Sequence, residues 1–173
     1  MKNLLIVIFS ISLLSGCISN SFQAQENDNY TLVDNVSPAT LNSNIELNVE
    51  VASPLNKGFI VVKTSDVSLR VTNSHKWSQK LEDQLSLLAI NELLKYPSIS
   101  KYKYEINVLQ FYGSTEGRVF ISLACKVQNG SKIILIRDYS QDFLQNEDGY
   151  DALAESLKEG YVKIINRIIA DLL

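Results

Sequence analysis

The chain is poor in the residues that most often carry chemistry: its 173 residues include one histidine, two cysteines, one tryptophan and three prolines. A hydrolytic site needs a nucleophile, a base and a group that orients the base. A metal site needs several His, Cys or carboxylate ligands at helical or hairpin spacing. With His75 as the sole imidazole, neither pattern is spelled out, and no catalytic, cofactor-binding or metal-binding residue is expected. Basic clusters are missing as well. The balance of 16 Lys+Arg against 19 Asp+Glu gives a formal charge of −3, which argues against nucleic acid as a partner and against a polybasic membrane patch. A membrane-spanning run is also lacking. The apolar stretch at residues 4–14 covers, at ~1.5 Å per residue, only about half of a ~30 Å hydrocarbon core.

That short run is nevertheless the first informative feature. Met1, Lys2 and Asn3 precede it, so a small basic region leads into an apolar one, the pattern of an export signal. It closes on Leu14-Ser15-Gly16-Cys17, which resembles the bacterial lipobox at all four positions. Small residues let a signal peptidase approach the backbone, and the cysteine supplies the thiolate that is alkylated. Cys17 is therefore the expected lipidation site, with Leu14, Ser15, Gly16 and Cys17 as the signal-peptidase motif. Two or more acyl chains hold a protein stably where a single chain holds it only marginally. Ile18 stands where the enteric sorting rule places an aspartate for inner-membrane retention, so the resemblance implies the outer membrane, facing the periplasm.

Removing residues 1–16 as a signal peptide leaves 157 of the 173 residues, and the loss of Lys2 takes the formal charge from −3 to −4. With Cys17 acylated, Cys125 has no intramolecular partner, and a disulfide is excluded. A chain of this length buries enough surface for a core without such staples. Residues 17–29 are rich in Ser, Asn, Gln and acidic side chains, which predicts a lipidated N-terminus on a flexible tether. Residues 30–173 are expected to form one domain. The sequons at Asn29 and Asn129 are read as chance in a bacterial chain.

Within the domain, Tyr30-Thr31-Leu32-Val33 reads as a short strand. Residues 42–53 alternate, with Ile45, Leu47, Val49 and Val51 on one side and Glu46, Asn48 and Glu50 on the other, the period of a half-buried strand. Pro54 ends it. Residues 59–63 and 67–72 read as a hairpin about Thr64-Ser65-Asp66. The period then changes: Trp77, Leu81, Leu85 and Leu88 recur at three and four residues, predicting a helix over residues 76–95, capped near Ser74 and stopped by Pro97. Residues 102–112, 118–128 and 131–143 form a predicted three-stranded meander, with residues 113–117 as one loop and Asn129-Gly130 as a type I′ turn. From about Gly149 to Leu173, Tyr150, Leu153, Leu157, Tyr161, Ile164, Ile168 and Leu172 mark a second helix, thinned by Ala154, Gly160 and Ala170. The expected fold is α+β: an antiparallel sheet, made of hairpins and the meander, with two helices packed on one face.

The few candidates for chemistry read as structural. His75 falls at the expected loop-to-helix junction, where a solvated or capping role fits. Cys125 lies on the Val119, Ile121, Leu123 and Val127 side of a strand, as a small core hydrophobe. Asp138, Asp142, Glu147, Asp148 and Asp151 suit a solvated loop and the start of a helix, whose dipole favours negative charge. They lack the ligand ladder of an EF-hand. The two glycines of residues 113–117 precede no Lys-Ser/Thr, so they form no phosphate cradle. Trp77, Tyr102, Tyr104, Phe111, Tyr112 and Phe120 would suit an apolar groove for a lipid tail, and core packing accounts for the same residues.

Several local motifs occur in a telling order: Tyr30-Thr31-Leu32, then Pro54 with Phe59-Ile60-Val61-Val62, then Trp77-Ser78-Gln79-Lys80-Leu81, then Val108-Leu109-Gln110-Phe111, then Ser156-Leu157. With the lipobox, this order resembles the PqiC-like auxiliary lipoproteins of ABC-type and MCE-type transport systems. The chain departs from that pattern at Gln79-Lys80, where the family often has Glu-Pro, and at Lys63, where it has arginine. The resemblance implies a non-enzymatic component, held to the outer membrane by its acyl anchor. Its implied partner is an MCE-family membrane protein that bridges the periplasm, and its implied cargo is phospholipid or another hydrophobic molecule. It also implies that Trp77 anchors the first helix to the sheet. A homo-oligomer suits a partner that is itself a ring. The competing reading is an envelope-biogenesis lipoprotein that assists an outer-membrane barrel or lipid assembly complex.

Overall fold

The computed structural model describes residues 27–173. In chain order the elements are β1 (Asp28–Tyr30), α1 (Pro38–Leu41), β2 (Glu46–Val51), a 3-10 turn (Leu55–Lys57), β3 (Phe59–Ser65), β4 (Ser68–Trp77), α2 (Leu81–Leu93), β5 (Lys103–Ser114), β6 (Arg118–Asn129), β7 (Lys132–Leu144) and α3 (Tyr150–Leu172). The fold is α+β, and α2 and α3 cover one face of the sheet. The sheet itself is mixed, which corrects the antiparallel expectation. Seven strands join in the order β1-β4-β3-β5-β6-β7, with β2 also on β5. β2 runs parallel to the first half of β5 (Glu46 opposite Lys103, Val51 opposite Val108), and β3 runs parallel to its end (Val62 opposite Gly113). Alternation marks a strand but carries no information on the direction of its neighbour. That direction is set by residues 52–58 and by the passage through α2.

The meander agrees with the pattern in the sequence to within a residue or two. β5, β6 and β7 pair antiparallel along nearly their whole length. The β6–β7 turn differs in kind from the expected one. Asn129 pairs with Lys132, Gly130 has φ +60°, and no non-glycine residue has positive φ among the described residues. The central pair is therefore Gly130-Ser131 with glycine first, the arrangement of a type II′ turn, since type I′ needs positive φ at both positions. The β3–β4 hairpin likewise turns at Asp66-Val67, one residue beyond the expected triplet. β1 includes Asp28 and Asn29 and stops at Tyr30, so Thr31, Leu32 and Val33 lie beyond the strand.

The first long helix starts later than its apolar spacing suggests. His75, Lys76 and Trp77 belong to β4, and α2 begins at Leu81 behind Lys80, which provides no side-chain cap. Ser74 is thus a strand residue. Trp77 is buried beside Phe111, with ring centroids 6.0 Å apart. It anchors the strand end from which α2 departs, and its spacing to Leu81 matched a helix by coincidence. α1 was not foreseen: Ser37 caps it by accepting from Thr40 N at 3.2 Å, and the Thr40 hydroxyl donates to Asn91, tying this single turn to α2.

The core lies between the sheet and the two long helices. Val119, Ile121, Leu123, Cys125 and Val127 of β6 face it, as do Tyr104, Ile106 and Val108 of β5 and Leu157, Tyr161, Ile164 and Ile168 of α3. Gly160 lets α3 approach closely: a Cβ there would stand 2.4 Å from Ile121 Cδ1 and 3.0 Å from the Phe143 ring. Ala154 is buried in the same seam, whereas Ala170 is exposed and thins nothing. Of the polar side chains buried among the described residues (Thr40, Thr72, Gln84 and Ser156), Gln84 is the least exposed. Gln84, 1 % exposed, accepts from Leu32 N at 2.6 Å and donates to Gln79 O at 3.1 Å, so the segment after β1 is held to α2.

Two outcomes test this packing. Gly160→Val should cost about 1–3 kcal/mol by overpacking the seam, measured by urea unfolding. Gln84→Leu should cost a further independent ~1–3 kcal/mol by stranding the Leu32 amide. Gly160→Val unfolding at the wild-type midpoint would show that the seam relaxes freely, and Gln84→Leu doing so would show that the Leu32 amide finds another partner.

Candidate functional site

Leu14, Ser15, Gly16 and Cys17 lie outside the described residues, so the candidate site inside the domain is a matter of its surfaces. His75 occupies the end of β4, where β1 and α3 meet, and not a loop-to-helix junction. Its Nδ1 lies 3.2 Å from both the Tyr30 hydroxyl and Asp28 Oδ2, and its ring stacks on Tyr150 at 3.7 Å between centroids. Burial, and then the charges of Asp28 and Asp151, push the Tyr30 hydroxyl up to about 12. The cluster joins three elements and leaves no free nucleophile beside the imidazole.

Cys125 is 2 % exposed, and burial pushes its thiol from 9.0 up to about 12, so it is protonated and inert at neutral pH. The five acidic residues divide into two groups, Asp138 and Asp142 on β7 and the other three at the start of α3. Asp142 accepts two hydrogen bonds from the Arg118 guanidinium on the open face of the sheet. Glu147, Asp148 and Asp151 instead border an open depression along the start of α3 with Glu155 and Glu159. Among the described residues no three His, Cys, Asp or Glu side chains come together as a metal site. The expected loop is shorter: Gly113 and Ser114 end β5, and residues 115–117 form the hairpin turn, with Ser114 Oγ accepting from Glu116 N and Arg118 N. The six aromatics divide as well. Trp77, Tyr104 and Phe111 are core and Tyr102 packs half-buried against it, whereas Tyr112 and Phe120 pack together on the opposite, open face under Lys63. They line no common groove.

That open face is polar and internally matched. Lys103 pairs with Glu46 at 2.6 Å and Lys126 with Glu105 at 3.0 Å across neighbouring strands. The feature that stands out is β7, the terminal strand of the sheet. Along its second half α3 reaches over the edge. Asp171 Oδ2 accepts from the Tyr139 hydroxyl at 2.6 Å and from Arg137 Nη1 at 2.7 Å, and Arg167 donates to Ser140 O at 3.2 Å. The Tyr139 hydrogen bond, followed by Arg137, holds the Asp171 carboxyl below its usual range. The first half has no such cover, and Ile133, Ile134 and Ile136 are 48 %, 36 % and 69 % exposed. An uncovered, apolar edge strand offers unpaired backbone groups to another chain, and proteins ordinarily blunt such edges with charge, proline or a covering element. Sequence reasoning placed this strand correctly but had no means of seeing that it would end the sheet.

These features define a two-layer α+β domain whose distinctive exposed element is a strand edge. In keeping with that, the family model described as "ABC-type transport auxiliary lipoprotein component" matches residues 30–169. The chain belongs to that family, which is a class of transport component and not of enzyme. Two solved structures share the fold. One, described as an uncharacterized protein, aligns with TM-score 0.71 at 22 % identity over 86 % of this chain and 99 % of its own. The other, a Xanthomonas campestris protein of family DUF330, aligns with TM-score 0.66 at 18 % identity over 82 % and 92 %. A comparison with curated proteins gives no match. Among the described residues no helix is long and apolar enough to cross a membrane.

The buried acids define the response to alkali. Cys125 and the tyrosines at 104, 139 and 161 have proton affinities raised by burial. The folded state therefore keeps protons that the unfolded chain releases, and stability falls as pH rises above about 9. Urea midpoints should decline from pH 8 to pH 11, and Cys125→Ala should flatten the first part of that decline. The native thiol should resist maleimide at pH 7 until denaturant is added.

Proposed function

We propose that this chain is an outer-membrane lipoprotein, anchored through acylated Cys17 and facing the periplasm, that docks the MCE-family protein of an ABC-type transport system. The segment from Cys17 to the start of β1 at Asp28 serves as the tether, shorter by Asp28 and Asn29 than the pattern of residues 17–29 suggested because both pair with β4. The domain from β1 onward supplies the contact, and the reading assigns it no catalysis. The lipobox supports the anchor, and the family supports a role in transport. The docking role is carried by one observation: the uncovered start of β7. A partner segment added beside residues 132–136 gains backbone hydrogen bonds for affinity, while Ile133 and Ile136 supply apolar contacts for specificity. The open face beside it is matched in charge within itself, so it neither attracts nor repels a charged partner strongly. Cargo, on this reading, is phospholipid or a similarly hydrophobic molecule, handled by the assembly.

The test is crosslinking and recovery of the tagged protein from its native envelope. An MCE-family protein should be recovered with the wild type, and Cys17→Ala should lose membrane association. Ile136→Lys, on a side chain already 69 % exposed, should fold normally and reduce partner recovery at least several-fold. Recovery of an outer-membrane barrel in place of the MCE-family protein would support envelope biogenesis and overturn the transport-docking role.

A further inference from the structure

The direction of β1 orients the domain on its membrane. β1 is parallel to β4, with Asp28 opposite His75 and Tyr30 opposite Trp77. β4 runs away from the β3–β4 turn, so β1 does too, and the chain reaches Asp28 from the side of that turn. Three features share this end of the sheet. The β5–β6 turn is joined to β3 by the hydrogen bond from Thr115 N to Lys63 O at 3.1 Å, and the end of β7 is joined to the β5–β6 turn by that from Gln145 N to Gly117 O at 2.9 Å. The foremost apolar side chain is Val67, 97 % exposed at the tip of the β3–β4 turn, and Leu144, 62 % exposed, ends β7.

We infer that this turn end, led by Val67, rests on the lipid surface that holds the acyl chains of Cys17. The inference rests on the lipid-anchor reading above. The eleven steps from Cys17 to Asp28 span at most about 40 Å when fully extended. Asp28 lies beside the Lys76–Phe59 pair, and from there to the Val67 turn is about 20 Å along β3 at ~3.3 Å per residue, in the direction from which the chain already comes. The opposite corner, at Ile133 beside the β6–β7 turn, lies five strand spacings away. At ~4.8 Å each, and with about 20 Å more along the strands, that is roughly 30 Å. To put that corner on the membrane the chain must reverse its direction and use most of its length. Charge narrows the surface further. At the turn end Lys63 is paired with Asp66 at 3.2 Å and Arg118 with Asp142 at 2.7 Å, while Glu116 and exposed Arg70 carry opposite charges, so charge there is balanced and zwitterionic lipid fits. The uncovered start of β7 is thereby turned away from the membrane.

The test uses the full-length acylated protein in phosphatidylcholine vesicles that carry a doxyl-lipid quencher, with a fluorophore at Val67→Cys or at Ile134→Cys. Both positions are surface sites, and buried Cys125 stays unlabelled. Quenching at position 67 should exceed that at position 134 several-fold, and it should not strengthen when phosphatidylglycerol is added. Equal quenching, stronger quenching at position 134, or no quenching at either on vesicle-bound protein would overturn the orientation. Stronger quenching on anionic vesicles would overturn the lipid class. Intact mass separates the two levels: unmodified Cys17 overturns the anchor reading itself, whereas acylated protein with the wrong quenching pattern overturns the orientation alone.

Discussion

The seam between α3 and the inner face of β5 and β6 is the contact on which the rest of the structure depends. Buried side chains recur on α3 from Leu153 to Ile169, and they meet an unbroken apolar row on β6. Gly160 brings the two layers within side-chain contact of Ile121 and Phe143, and Gly113 does the same beneath Leu153. Interiors packed to crystal-like density transmit such a placement over the whole element. Once α3 is seated, Arg167 and Asp171 fall beside β7, and the far half of that edge is covered. The near half stays bare because α3 does not extend over residues 132–136.

A second, smaller set of contacts decides how the domain leaves its N-terminal segment. His75, Tyr30 and Asp28 hold β1 to the end of β4, and Gln84 holds Leu32 to α2. Of these, the Gln84 contact supplies a partner for the buried Leu32 amide, and a buried unpaired amide costs more than a made hydrogen bond gains. The direction in which the chain departs toward its anchor is therefore a property of the folded domain. On the proposed anchoring through Cys17, it would place the membrane at one end and the bare strand edge at the other. A component that links a membrane to a partner across an aqueous gap needs such a separation of surfaces.

The chemistry of the interior points the same way. The one imidazole is engaged by a tyrosine and a carboxylate, the one described thiol is buried and protonated, and the carboxylates along the start of α3 border an open depression without forming a metal-type group among the described residues. What remains outward is shape, strand edge and a charge-matched face. That suits a part in an assembly, in agreement with the family to which the chain belongs.

Much of this was legible in the residues alone. The three strands of the meander, the long C-terminal helix, Cys125 as a core side chain and the family resemblance all follow from patterns within a few residues of one another. Period, turn glycines and small motifs are local, and local interactions decide them. The parallel pairing of β2 and β3 on β5, the strand assignment of His75 and Trp77, the use of Gln84 as a buried clamp and the uncovered start of β7 were not legible. Alternation looks the same beside a parallel or an antiparallel neighbour, and an apolar strand reads the same at the centre of a sheet or at its edge. Which neighbour arrives, and where none does, depends on residues distant in sequence that meet only once the core has closed.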